Sequence, residues 1–93
     1  MAAISGQAYK CLIVSKLYPG KCVHLEGGNT GNGTKIHLWD IQDKDFPAQE
    51  WLVQGGNTII KSVKAPRMSL QLDHGKTGNG TNVHLWELRG STQ

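Results

Sequence analysis

The chain has little of the material that several protein classes require. Its 93 residues include only two cysteines, Cys11 and Cys22. These are too few for a disulfide-stapled scaffold and lack the paired spacing of a zinc ribbon or redox motif. Both are expected as free thiols. Neither sign of charge runs in a block: ten Lys and Arg are interspersed with seven Asp and Glu for a net +3, so there is no basic arm for nucleic acid. The longest apolar run near the N-terminus, Leu12-Ile13-Val14, falls far short of the roughly 18 residues of a membrane span. The opening Met1-Ala2-Ala3-Ile4-Ser5-Gly6 has no basic segment followed by an apolar block and does not read as a secretory signal. A cytoplasmic or unconventionally secreted protein without cofactor is expected.

Helical periodicity is also missing. No window carries an apolar stripe at helical spacing, and the 12 glycines would interrupt most helices. Only Asp43 to Phe46, ahead of Pro47, is expected to make one helical turn. What the chain does have is a repeat. Shifted by 47 positions, Ser15–Asp40 lies over Ser62–Glu87 with 12 of 26 positions identical, the signature of a duplicated structural unit. The most specific part is Thr30-Gly31-Asn32-Gly33-Thr34-Lys35-Ile36-His37-Leu38-Trp39-Asp40. It returns as Thr77-Gly78-Asn79-Gly80-Thr81-Asn82-Val83-His84-Leu85-Trp86-Glu87.

Around these blocks, apolar and polar residues alternate over short runs, as in Cys22 to Glu26. Each Asn-Gly pair lets the chain reverse through a positive φ. Strands are therefore predicted near 8–15, 21–26, 35–40, 50–54, 57–63, 68–73 and 82–88, which makes the domain all-β. Asn32-Gly33-Thr34 and Asn79-Gly80-Thr81 match the glycosylation pattern but are read as turns, since no secretory signal precedes them.

These residues resemble the ricin B-type lectin family of β-trefoils, whose repeat carries a Cys-x-Asp strand, an Asn-Gly turn and two Gln-x-Trp motifs. Cys22-Val23-His24-Leu25 stands at the first of these, Asn32-Gly33 at the turn, and His37-Leu38-Trp39 and Gln49-Glu50-Trp51 at the two Gln-x-Trp places. In the second repeat, Ser69-Leu70-Gln71-Leu72, Asn79-Gly80 and His84-Leu85-Trp86 correspond. The resemblance implies β-trefoil-type repeats, two of three present: a tail over 1–7, one repeat over 8–56 and an incomplete one over 57–93. Two repeats leave an apolar wall and unpaired strand edges, so completion by self-association or by a partner is expected.

The resemblance also implies sites. Trp39 and Trp86 occupy the family's stacking position, where an aromatic face takes the apolar side of a sugar, while Trp51 belongs to the core-packing motif. The family's galactose binders carry an aspartate where this chain has His24 and Gln71, and here those residues and His37 and His84 would bond hydroxyls. Gln49 would support the first pocket. Glu26 and Asp73, two residues further on, offer alternative carboxylates. His24 and His37 are read either as two solvated surface histidines or as a pair converging with Trp39, and a metal site lacks a third ligand. The place of the family's cysteine partner holds Ile41, so the family disulfide cannot form.

The expected function is a lectin-like module, not an enzyme, with shallow multivalent sites for glycans (galactose-type among them), a homo-oligomer, with no nucleic acid and no membrane span. Two alternatives stay open: a sugar-inactive interaction or structural module of the same fold, and a trefoil-like protease inhibitor acting through the loop Asp40 to Pro47.

Overall fold

The computed structural model describes residues 7–42, 45–54 and 59–88. Seven strands are present: β1 (Ala8–Cys11), β2 (Lys21–Leu25), β3 (Ile36–Asp40), β4 (Trp51–Gln54), β5 (Ile60–Ser62), β6 (Met68–Leu72) and β7 (Val83–Glu87). All pairings between them are antiparallel. Five strands form one sheet in the order β1-β4-β5-β6-β7, and β2 and β3 form a second, two-stranded sheet. The domain is all-β, as its alternating pattern and turn residues require.

The sequence repeat is a structural repeat. The hairpin β2–β3 runs in register from Leu25 opposite Ile36 to Lys21 opposite Asp40. The hairpin β6–β7 runs from Leu72 opposite Val83 to Met68 opposite Glu87, the same register 47 residues on. Each first strand ends in a 3-10 turn, Glu26–Gly28 or Asp73–Gly75. The second residue of that turn is left-handed: Gly27 at φ 62° in one copy and His74 at φ 52° in the other. In the later turns the positive φ falls on Gly33 and Gly80, at 86° and 85°, so it is the glycine of each Asn-Gly pair that reverses the chain.

Two predicted elements come out differently. The strand expected over 8–15 divides. Residues 8–11 pair with β4, then the chain crosses to the other sheet, where Val14 bridges Cys22 and Ser15 N–H donates to Lys21 O at 3.0 Å. One continuous extended run thus serves two sheets. The helical turn expected over 43–46 falls on Pro47–Gln49, and 3-10 turns follow β2 and β6, where the sequence pattern predicts none. Proline favours the first helical position and pushes the residue before it out of the helical region, and Phe46 has φ −137°. Asp43 and Lys44 lie outside the described residues, as do 57–58 of the fifth predicted strand.

The core consists of Leu25, Ala48, Trp51 and Leu85, with Ile13, Val23, Ile36, Ile60, Met68 and Leu70 packed around it. Trp51 is fully buried, and its indole N–H donates to Val23 O at 3.3 Å, joining β4 to β2. The two sheets are also tied by the turn of the first hairpin, which lies on β7. Gly33 N–H donates to Leu85 O at 2.8 Å, Leu85 N–H to Thr34 O at 2.9 Å, and Glu87 N–H to Asn32 Oδ1 at 2.9 Å.

Candidate functional site

The alternation of β2 sends Cys22 and His24 inward, and β3 carries His37 and Trp39 opposite them. His24 and His37 are direct cross-strand partners, so their rings meet, with centroids 5.4 Å apart. Trp39 lies 5.9 Å from His24 and 5.5 Å from His37, and Phe46 stacks on His24 at 5.8 Å. These rings wall a cleft of about 660 Å³ that is closed by Glu26, Gly28, Gln42, Pro47 and Lys64. Lys64 reaches in from beyond β5 and donates to Gly28 O.

His24 is buried at 7% exposure, so the pair are not two solvated surface residues. Its state is fixed by Gln49, 1% exposed on the 3-10 turn. The Gln49 amide nitrogen donates to Asp40 O at 2.7 Å, and its oxygen accepts from Gln42 N–H at 3.1 Å. Two backbone groups of unambiguous role therefore orient the amide. Its second N–H faces His24 Nδ1 at 3.0 Å, so Nδ1 accepts and the ring proton sits on Nε2. Burial lowers the His24 pKa first, and the nearby His37 and Lys64 lower it further, keeping the ring neutral at pH 7. His37 is different: among the described residues its Nε2 is the one buried side-chain nitrogen or oxygen without a hydrogen-bond partner.

The second hairpin builds a related cleft of about 700 Å³ from Gln71, Leu72, Asp73, His74, His84 and Trp86, with Gly33 of the first hairpin as part of its wall. His84 stacks on Trp86 with centroids 5.3 Å apart. Gln71 occupies the His24 position but works as Gln49 does. Its amide nitrogen donates to Ser69 Oγ at 3.1 Å and to Glu87 O at 3.2 Å, and Glu87 is the repeat counterpart of Asp40. It is thus a support of the strand end more than a group presented to the cleft. A carboxylate is present instead on Asp73, whose Oδ1 lies 3.4 Å from His74 Nε2 and 4.0 Å from His84 Nδ1.

The family model for ricin-type beta-trefoil lectin domain-like sequences matches residues 4–86. The chain belongs to that family. No curated protein and no solved structure matches the chain.

The structure places His24, His37 and Trp39 on the wall of one cleft, with Gln49 buried behind His24, and Gln71, His84 and Trp86 on the wall of another. The two sets meet at a third cleft, where His37 and His84 line the wall with Glu26 and Asp73. Sequence reasoning missed Phe46 and Lys64, which wall the first cleft. Phe46 precedes the Pro47 turn and Lys64 follows β5, so no repeat or motif spacing pointed to either. Both cysteines are free thiols, and burial raises the pKa of each. Among the described residues no cluster of three or more His, Cys, Asp or Glu is placed to hold a metal ion, and no helix is long and apolar enough to cross a membrane.

Proposed function

We propose that the protein is a non-catalytic carbohydrate-binding module whose principal site is the cleft walled by Trp39, His24 and His37. The observation that supports the reading best is the convergence of the half-exposed Trp39 with the rings of His24 and His37 on the wall of one cleft. The Trp39 ring supplies the apolar face on which a pyranose ring packs. His24 contributes its Nε2 proton as a donor, and Glu26 and Lys64 bring one charge of each sign to the rim. Gln49 holds His24 in place from behind.

The second cleft repeats the plan with Trp86, His84 and the Asp73 carboxylate, giving each chain two shallow sites. Binding at one site is weak, and affinity for a branched glycan comes from using both. Galactose-type glycans are the first class to test, because the family's galactose binders place a carboxylate at the Cys-x-Asp strand and Asp73 and Glu26 stand two residues beyond that place. The test is an NMR titration of the ¹⁵N-labelled chain with galactose, lactose and a panel of simple sugars. The reading expects shifts at the Trp39 indole N–H and the His37 ring nitrogens. Shifts confined to residues outside both clefts would contradict it.

A further inference from the structure

The two hairpins are the same unit, yet equivalent residues are covered differently. Leu85 is fully buried, while its counterpart Leu38 is 52% exposed. Trp86 is half-buried, while its counterpart Trp39 is exposed. Leu85 packs in the core with Leu25, Ala48 and Trp51, and the turn of the first hairpin lies along its strand beside Trp86. Gly33 of that turn bonds Leu85, its Asn32 bonds Glu87, and a Cβ built on Gly33 would lie 3.8 Å from the Trp86 ring.

The turn of the second hairpin has the same residues and the same internal bonds. Thr34 Oγ1 donates to Gly31 O at 2.7 Å, and Thr81 Oγ1 to Gly78 O at 2.8 Å. Yet a Cβ built on Gly80 would meet nothing within 4 Å. Among the described residues the β3 edge has no strand beside it beyond the Lys35–His84 bridge, although Asp40 O accepts from the Gln49 and Gln42 side chains. Bonds from Glu26 N–H to Lys35 O and from Ile41 N–H to Gly20 O flank the β2–β3 ladder and set its alternation. By that alternation Leu38 and Asp40 turn their N–H groups away from β2, as Leu85 and Glu87 in β7 turn theirs toward the first turn. Among the described residues β3 is in a sheet of two strands only.

We infer that the Asn79–Thr81 turn of one copy docks on β3 of a second copy, repeating between chains the contact that the Asn32–Thr34 turn makes with β7 within one chain. Gly80 N–H then donates to Leu38 O, Leu38 N–H to Thr81 O, and Asp40 N–H to Asn79 Oδ1. The occupant follows from the repeat itself: eight of the eleven residues in the turn-and-strand block are identical between hairpins. Turn and edge sit on opposite hairpins, so the contact is head-to-tail. Such a contact uses both surfaces on every chain when the copies close into a ring. Docking covers an open edge bearing Leu38 and Trp39, which would otherwise invite uncontrolled pairing. It also sets Gly80 of the neighbour against Trp39, giving the first cleft the wall that Gly33 gives the second. Nothing in this inference depends on sugar binding.

Gel filtration with light scattering, over a range of micromolar concentrations, tests it. The chain is expected at a discrete multiple of 10.2 kDa. Leu38→Glu is expected at the mass of one chain, with unchanged far-UV circular dichroism because Leu38 is not a core residue. Asn79→Ala removes one interchain bond per contact and weakens each contact about five- to tenfold. A monomeric wild-type chain, or a Leu38→Glu variant that folds and keeps the wild-type mass, overturns the inference.

Discussion

The Gln49 amide nitrogen stands between Asp40 O at 2.7 Å and His24 Nδ1 at 3.0 Å, so one buried side chain anchors the end of β3 and sets the tautomer of a histidine in the cleft. Gln49→Ala removes these bonds and the acceptor for Gln42 N–H. The expected loss is about 2–3 kcal/mol, lowering the thermal midpoint by roughly 10 °C or more in a domain of this size. Differential scanning calorimetry checks it, and a shift of only a degree or two would deny Gln49 the role.

The same pair makes stability depend on pH. His24 has its pKa lowered in the fold by burial and by His37 and Lys64, so below the unfolded-state value of about 6.5 the unfolded chain binds more protons at this residue than the folded one. Stability is full above about pH 6.5 and declines as the pH falls through and below it. Urea unfolding at pH 7.5 and 5.5 should show the decline. His24→Gln, which installs the residue found at the equivalent place in the second hairpin, should flatten it.

Three tryptophans divide by burial. Trp51→Ala empties the core centre and costs about 3–5 kcal/mol, enough to unfold much of a small domain. Trp39→Ala, at a half-exposed site, costs about 1 kcal/mol or less. Chemical denaturation of both variants measures the difference, and equal costs would contradict the assignment of Trp39 to a cleft wall.

Asn32 closes the contact between the hairpins through its bond to Glu87 N–H at 2.9 Å. Asn32→Ala should cost about 1 kcal/mol and speed amide exchange at Glu87 by about fivefold, the factor that this energy implies. Exchange monitored by NMR reads this directly.

Much of this was legible in sequence because a duplicated block constrains itself. The register of both hairpins, the two Asn-Gly turns and the tryptophan positions all follow from the 47-residue shift and the alternation of polar and apolar residues. Where the repeat is silent, the reading failed. Pro47 moved a helical turn by several residues, and the segment 8–15 split between sheets because extended character does not specify a partner. The roles of His24 and Gln71 were blurred for a similar reason. Equivalent positions carry different side chains, and only the tertiary environment shows that Gln71 takes over Gln49's bond to the strand end while His24 stays beside the cleft. Phe46 and Lys64 reach the site from loops, where spacing carries no information.

The most direct test of the central claim is a glycan array with the purified chain beside the Trp39→Ala/Trp86→Ala double variant, both shown to be folded by circular dichroism. Binding of galactose-type or other glycans by the wild-type chain, lost in the double variant, is the predicted result. A blank array from the folded wild-type chain, or equal binding by the double variant, would contradict the sugar-binding account, and a blank array would favour a β-trefoil-like module that recognises protein instead.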